Sequence, residues 1–260
     1  MIHLRKGKEV EMLRAAGAVA AEILQQTAAA VRAGVSTLDV DRAAAQLMAE
    51  RGCKSAFLGY RKFPGNICIS LNDEVIHGIG RAARLIRAGD IVKIDVGIIK
   101  NGWVGDNATT VPVGEISEDK WRLLQATEDA LDIAIGYARH NGSLRDLCGS
   151  VEKWVTRFGF GVVRQFVGHG VGRRLHEEPQ VPNWGDPNIR CKLKAGMVLA
   201  IEPMINAGRG ATRVLADGWT AITTDGKPSA HFEHMVLVTE GNPEVLTPRA
   251  RLTEPQPIGA

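Results

Sequence analysis

Four acidic residues stand within or directly after apolar stretches, where an ionised carboxylate is costly unless it is paired or bound to a cation. Asp95 lies in the segment IVKIDVGII, Asp106 in the stretch that follows it, Glu202 at the end of MVLAI, and Glu233 within HFEHMVLV. A single acid in a strand usually just faces solvent. Four of them in such settings indicate a shared site, and because neighbouring carboxylates repel each other, a metal ion is the natural third party.

A predicted β-hairpin brings two of these acids together. The Asn-Gly dipeptide at 101–102 is a strong signal for a two-residue turn, here between strands over residues 91–100 and 103–113. Position 100 then faces position 103. This register places Asp95 and Asp106 on the same face of the hairpin, because side chains alternate between the two faces of a strand.

The residues opposite these two acids are small. In the predicted register Asp95 faces Ala108 and Asp106 faces Gly97. The two acids are diagonal neighbours whose backbones lie roughly 7–8 Å apart across the two strands. We expect Gly97 and Ala108 to leave room for both carboxylates. The hairpin alone therefore predicts half of a metal site.

An internal repeat relates the other acids to this hairpin. The segment AGDIVKID begins at residue 88 and AGMVLAIE at residue 195, an offset of 107 that makes Glu202 the counterpart of Asp95. The segments HGIG and HGVG follow the same order at an offset of 92, and two capped helices begin near Leu38 and Leu144. We interpret this pattern as a degenerate two-fold repeat, which predicts an α+β fold whose halves each pack two helices on antiparallel strands around a shared cleft.

Periodicity and capping residues outline the elements that must position the site. We predict one catalytic domain over residues 1–252 and a flexible tail over 253–260, which contains two prolines. Helices are expected over 7–32, from Ser36 or Thr37 to Gly52, from Ser117 to about His140 and from Ser143 to about Phe158, with further strands near 67–71, 161–167, 197–206, 213–224 and 230–238.

Two histidines lie in settings that could serve a site. His169 stands in GHGVG and His176 in LHEEP. Glycines on both sides of His169 predict a backbone that a ligand can approach closely. The spacing excludes the HExxH motif of single-zinc helical proteases.

Composition excludes several classes of protein. The 260 residues are 45% hydrophobic and 23% charged with a net charge of +3, which is ordinary for a globular protein and too weakly basic to argue for nucleic-acid binding. No apolar stretch approaches the 18 residues of a membrane span. The four cysteines show no CxxC spacing and are expected as free thiols, so we predict a cytoplasmic protein without membrane association.

Several segments together resemble a known family. VIHGIG, KIDVGIIKNGWVGDNA, VGHGVG, LHEEP, AIEPMINAG and FEHMVLVTE are colinear over about residues 5–248 and resemble the motifs of type I methionine aminopeptidases. The resemblance implies the pita-bread fold of the creatinase and aminopeptidase group, and removal of the initiator methionine from nascent proteins and peptides with a small second residue. It also implies a monomer acting on nascent N-termini, which allows transient association with the ribosome.

The resemblance also implies a set of site residues. Five metal ligands would hold two divalent ions, whose charges four carboxylates would balance; this oxygen-rich shell suits Mn(II), Fe(II) or Co(II), with Zn(II) as an alternative. A metal-bound hydroxide would attack the first peptide bond, and the substrate α-amine would bind one metal. The implied ligands are Asp95, Asp106, His169, Glu202 and Glu233.

The remaining implied roles concern catalysis and substrate binding. Glu202 would shuttle the proton, His176 would polarise the carbonyl and His77 would contact the scissile amide nitrogen. The methionine side chain would bind among aromatic and sulfur-bearing side chains. These are Tyr60, Phe63, Cys68 and Trp219, with Phe57 and Leu175 nearby.

Four positions depart from the commoner family pattern. Leu175 stands for a frequent Phe, Gly80 for Pro, His231 for a frequent Gln, and Arg61 occupies a variable position on the pocket rim. None removes a ligand, so they bear on pocket shape and second-residue preference. Whether His231 supports the metal ligands stays open.

Three alternatives share the fold but not the features of this sequence. Xaa-Pro peptidases usually carry a large extra N-terminal domain, which we do not expect here. Non-catalytic binding proteins of this fold typically lose ligands, and creatine amidinohydrolases work without metal, whereas all five implied ligands are present. Only 30 residues separate Glu202 from Glu233, too few for the insertion of type II enzymes.

Overall fold

The helices form where the capping signals predict them. The computed structural model describes residues 2–253, so the predicted tail lies outside the described residues except for Thr253. The side chains of Ser36, Ser117 and Ser143 accept hydrogen bonds from the backbone amides of the first turns of three helices. The four helices are α1 (Lys8–Ala29), α2 (Thr37–Glu50), α3 (Glu118–Tyr137) and α4 (Leu144–Val155).

The first half of the chain builds a sheet around the predicted hairpin. Its central strand is flanked by the hairpin partner on one side and by two short strands on the other. The predicted register is confirmed, since Lys100 pairs with Trp103 and Asp95 with Ala108. The strands of this sheet are β1 (Lys54–Ser55), β2 (Cys68–Leu71), β4 (Ile91–Lys100) and β5 (Trp103–Pro112), whereas β3 (Glu74–Ile76) pairs with a strand of the second half.

The second half contains shorter strands. Five of them form an antiparallel sheet in the order β15-β14-β9-β7-β8, and the others belong to two three-stranded sheets. The strands are β6 (Gly161–Val162), β7 (Gly168–Gly170), β8 (Glu177–Val181), β9 (Val198–Ile201), β10 (Met204–Asn206), β11 (Thr212–Val214), β12 (Ala221–Thr223), β13 (Ser229–His231), β14 (His234–Leu237) and β15 (Glu244–Val245).

Four predicted strands of this half were wrong in extent, and β7, β8 and β15 lie outside the predicted ranges. Segment 161–167 is a strand only at 161–162, and the segments 197–206, 213–224 and 230–238 are each interrupted. Two of the interruptions fall at Glu202-Pro203 and at Phe232-Glu233, where the chain leaves one sheet and joins another. An apolar run cannot report such a break, because residues on both sides of it are buried.

The two-fold repeat is visible in the architecture. The first half places β4 between β2 and β5, and the second half places β9 between β7 and β14. Helices α1 and α2 contribute to one hydrophobic cluster, while α3 and α4 contribute to another. The two halves meet where Glu233 donates its backbone N–H to the carbonyl of Ala108 at 3.0 Å. This arrangement confirms the predicted α+β pita-bread fold. Among residues 2–253, no helix has the length and apolarity to cross a membrane.

Candidate metal centre

The hairpin carries two of the five implied ligands as predicted. Asp95 stands in β4 opposite Ala108 on one side and Cys68 on the other, and Asp106 stands in β5 opposite Gly97. Asp106 is buried, and the Oδ1 atoms of both aspartates are buried without a hydrogen-bond partner among residues 2–253. Their carboxylates therefore reach the interior with acceptor capacity to spare.

Gly97 serves a different purpose from the one predicted. A Cβ atom at this position would collide with the ring of Phe57, so the space above Gly97 is occupied by that ring. The expectation that Gly97 leaves room for the carboxylates was wrong. Phe57 packs there because β1 and the loop after it cover this end of β4, and the ring then lines the cavity beside the acids.

The other two acids stand at the crossovers between sheets. Glu202 follows β9, and Glu233 lies between β13 and β14. The amide of Asn183 donates to the backbone carbonyl of Glu202 at 3.1 Å. Because β9 pairs with β14 and β10 pairs with β13, the two chain breaks lie side by side. Both residues thus lie outside the strands, and both carboxylates point toward the hairpin acids.

His169 completes the cluster with a defined free nitrogen. Its Nδ1 lies 2.9 Å from the carbonyl oxygen of Gly170, which can only accept, so Nδ1 carries the proton. The Nε2 atom then faces the acids, 3.7 Å from Asp106 Oδ2 and 3.5 Å from Glu202 Oε1. Burial lowers the pKa of His169 to about 3. The ring is therefore neutral, as a metal ligand must be.

The glycines beside His169 let strands, not a ligand, approach closely. A Cβ at Gly168 would collide with the carbonyl of Ala200, and one at Gly170 with the carbonyl of Glu178. Strand β7 lies between β8 and β9 and needs both glycines to pack there. We expected the two glycines to let a ligand approach the backbone, and this reason was wrong.

The four acids are electrostatically frustrated without a cation. Burial raises the pKa of Asp106 to about 7. The pKa values of Asp95, Glu202 and Glu233 are well above the usual range, first because of burial and then because of the charges of neighbouring acids in the cluster. A bound cation would reverse both effects.

The donor set fits divalent metal ions. Asp106, His169 and Glu233 offer ligand atoms that all lie within 4.8 Å of one another. Glu202 lies beside His169, and Asp95 Oδ1 and Glu233 Oε1 are buried acceptors without a partner. Unpartnered buried carboxylate oxygens converging on one imidazole are the chemistry that such an ion would satisfy.

A cavity of about 300 Å³ opens beside the acids, and every implied site residue lines it. Phe63 and Trp219 meet edge to face with ring centroids 5.1 Å apart, and Cys68 lies opposite Asp95 on β2. The aromatic side chains and the thiol therefore form one wall, and the acids form the other. The cavity is lined by Phe57, Tyr60, Phe63, Cys68, His77, Leu175, His176 and Trp219 together with the five implied ligands.

Two further histidines lie near the acids, as the resemblance implied. His176 Nδ1 is 2.8 Å from the hydroxyl of Tyr60, and its ring centroid is 4.2 Å from that of His169. Burial lowers the pKa of His176, and the charge of Arg61 lowers it further. His77 has a pKa lowered to about 4, chiefly by burial. Both rings are therefore neutral at neutral pH.

Sequence reasoning missed two neighbours of the site. Phe166 contacts His77 edge to face at 5.5 Å, but its segment was predicted as a continuous strand, so no signal marked it. Thr110 accepts from the backbone N–H of His231 at 3.0 Å and donates to its carbonyl at 2.7 Å. This exchange holds His231 with its Nε2 atom 3.5 Å from Glu202 Oε2.

Comparison with known proteins agrees with this geometry. The sequence profile of metallopeptidase family M24 matches residues 11–240. The chain is 42% identical over 247 residues to methionine aminopeptidase 1 of Bacillus subtilis, covering 95% of this chain and 99% of that protein. It is 40% identical over 255 residues to the methionine aminopeptidase of Escherichia coli K12, covering 98% and 97% of the two chains.

Solved structures show the same relationship. The crystal structure of methionine aminopeptidase from Thermotoga maritima matches with a TM-score of 0.93 and 39% identity, covering 96% of this chain and 100% of that one. An Xaa-Pro dipeptidase from Bacillus anthracis matches with a TM-score of 0.77 at 20% identity, covering 96% of this chain and 63% of that one, which shows a shared fold alone.

The fold and the acid-rich centre thus define a metallopeptidase of family M24. Within that family, the full-length similarity shows that the chain belongs to the methionine aminopeptidases.

Proposed function

We propose that this chain removes the N-terminal methionine from nascent proteins and peptides by metal-dependent hydrolysis, with a preference for a small second residue. The observation that carries the proposal is the joining of four acids, two buried and two nearly so, and a neutral His169 to a cavity of about 300 Å³ that has one aromatic and thiol wall. A cavity of this size has room for one side chain beside the acids.

Five residues would hold two divalent cations in this proposal. Four carboxylates balance the charge of two such ions, and the donors suit Mn(II), Fe(II), Co(II) or Zn(II). When bound, the ions would lower the pKa of water and polarise the scissile carbonyl. The ligands are Asp95, Asp106, His169, Glu202 and Glu233, whose unpartnered oxygens support the assignment.

The proton transfers fall to residues of the chain. Glu202 accepts a proton from the attacking water and delivers it to the leaving amine, since its carboxylate lines the cavity beside the other acids. His176 stabilises the developing oxyanion. When the Tyr60 hydroxyl donates to Nδ1 across 2.8 Å, Nε2 of His176 carries a hydrogen that can point at the carbonyl oxygen.

Substrate binding uses the opposite wall of the cavity. The methionine side chain packs on Tyr60, Phe63, Cys68 and Trp219, where a thioether makes favourable contacts with aromatic rings. His77 stands next to Trp219, with ring centroids 6.0 Å apart, and contacts the scissile amide nitrogen.

Substrates are N-termini of nascent chains in the cytoplasm. The enzyme acts as a monomer that associates transiently with the ribosome.

The activity is tested with short peptides. Methionine release from Met-Ala-Ser should require a divalent metal and stop on addition of a chelator, whereas an Ala-Pro peptide should not be cleaved. Mass spectrometry of the products after titration with Mn(II), Fe(II), Co(II) or Zn(II) measures both points. Turnover of the Ala-Pro peptide alone, or turnover that a chelator does not affect, would overturn the proposal.

A further inference from the structure

A second cavity continues outward from the metal centre. Its volume is about 620 Å³, twice that of the first cavity, and the two share Arg61, Val167, His169 and His176 as lining residues. A peptide whose first residue fills the inner cavity must lead its following residues away from the acids. The outer cavity, which we call the exit groove, adjoins the two histidines and is large enough for several residues.

Arg61 is held at the junction between the inner cavity and the exit groove. The turn that carries it has positive φ at two consecutive non-glycine residues, 46° at Arg61 and 73° at Lys62, a conformation that such residues adopt only where the surroundings require it. A hydrogen bond of 2.8 Å from Phe63 N to Tyr60 O closes this turn. The guanidinium lies over the ring of Tyr60, 5.5 Å from its centroid, so the charge has a defined place.

Arg174 supplies a second cation to the lining of the groove. Its backbone N–H donates to Glu177 Oε1 at 3.2 Å, which fixes the turn before His176. Among the described residues, neither Arg61 nor Arg174 forms an ion pair. Both side chains are exposed and available to a ligand.

The acids of the groove only partly offset these cations. Glu177 is committed to Arg5 at 2.6 Å and to two backbone amides. Glu178 is exposed and forms no ion pair among the described residues. The balance of uncommitted charge is therefore two positive against one negative, which favours an anionic occupant.

We propose that the exit groove binds the substrate residues that follow the second one, and that Arg61 and Arg174 make it select acidic side chains there. This inference rests on the proposed aminopeptidase function and names the substrate class that the function favours. Each exposed charge contact is worth roughly 0.2–1 kcal/mol, which corresponds to roughly a 1.4- to 5-fold change in relative rate.

The test compares kcat/KM for three peptides, Met-Ala-Glu-Glu-Ser, Met-Ala-Gln-Gln-Ser and Met-Ala-Lys-Lys-Ser. The wild-type chain should cleave the acidic peptide several-fold better than the basic one. Arg61→Gln and Arg174→Gln should each lower this ratio, and Glu178→Gln should raise it, because it removes the opposing charge. The ratio should shrink at high ionic strength, where charges exposed to solvent are screened.

The control variant is Arg122→Gln, which removes one exposed positive charge on α3, outside both cavities. It should leave the ratio of acidic to basic peptide unchanged. A wild-type ratio near one, or a ratio that Arg61→Gln and Arg122→Gln change equally, overturns this inference while methionine release continues. Absence of methionine release from all three peptides would instead overturn the proposed function.

Discussion

At the scale of single residues, the centre is held in a state that is unfavourable without cations. Burial raises the pKa of all four acids. The charges of neighbouring acids raise the pKa values of Asp95, Glu202 and Glu233 further. Glu202 lies between two histidines, with His169 Nε2 at 3.5 Å from one carboxylate oxygen and His231 Nε2 at 3.5 Å from the other. Each of its oxygens therefore faces the Nε2 atom of one histidine.

Replacing Glu202 with Gln separates catalysis from stability. We expect kcat to fall by about 10²–10⁴-fold, because proton transfer is lost. The chelator-treated variant should melt higher than the wild type at pH 8 by on the order of 2–4 °C, which corresponds to about 1 kcal/mol for a domain of this size. The removed carboxyl no longer has to be buried beside other acids. Kinetics and thermal melts measure the two effects.

The matched control is Glu115→Gln, which removes an exposed carboxylate away from the cavity. It should change neither kcat nor the melting temperature of the metal-free protein. Turnover of Glu202→Gln at the wild-type rate would remove the proton-transfer role from Glu202.

At the scale of elements, the loop between β7 and β8 is clamped by the N-terminal segment. Arg5 donates to Glu177 Oε2 at 2.6 Å, and Glu177 Oε1 accepts from the backbone amides of Arg173 and Arg174. Both side chains of the pair are 8% exposed. The loop carries His176 next to Glu177, so the clamp connects the first residues of the chain to the cavity.

Breaking this clamp should be far more costly than breaking a surface pair. Arg5→Ala leaves Glu177 buried without its cation, and we expect a loss of about 3 kcal/mol in the free energy of unfolding. Because His176 would lose its fixed position, kcat should fall as well. Urea denaturation and peptide kinetics are the measurements.

Arg14→Ala provides a matched comparison. Arg14 also contacts a glutamate through two hydrogen bonds, of 2.7 and 2.8 Å to Glu244, but its side chain is 50% exposed. Its loss should cost less than about 1 kcal/mol. Equal effects of the two substitutions on stability would contradict the idea that Arg5 acts as a buried clamp.

At the scale of the whole molecule, a bound metal would link the two halves of the fold, because each half supplies two of the acids. Asp95 and Asp106 belong to the first half of the repeat, and Glu202 and Glu233 to the second. In the metal-free protein their pKa values are raised in the folded state, so folding is favoured by protonation and stability is lost as pH rises through about 7. Cations that replace these protons should therefore stabilise the molecule more at higher pH.

We expect the gain in melting temperature on adding saturating Mn(II) to chelator-treated protein to increase between pH 6.5 and pH 8. The histidines do not change this difference, because the pKa of His169 is about 3 in the folded protein and the titration of the unfolded chain near 6.5 is common to both forms. Burial lowers the pKa of Lys93 to about 7. This lysine affects the stability of the metal-free and the metal-bound protein alike, so it does not contribute to the difference between their melting temperatures. A gain that falls with pH in thermal melts would contradict the raised pKa values of the acids.

Local features of the sequence determined the parts of this protein that depend on neighbouring residues. The turn at 101–102 sets the hairpin register, and serines at 36, 117 and 143 begin helices where they were expected. The repeat predicted the matching architecture of the halves. These features could be predicted because turn geometry, capping and strand alternation act over a few residues.

Only the tertiary structure decided how the halves meet. The breaks at Glu202 and Glu233 arise where strands change sheets, which no apolar run reveals. The ring of Phe57 over Gly97 and the exit groove beside Arg61 join segments distant in the chain. Hydrophobic pattern reports that a residue is buried but not against which partner, so the sequence predicted a site shared by the four acids but not which atoms meet there.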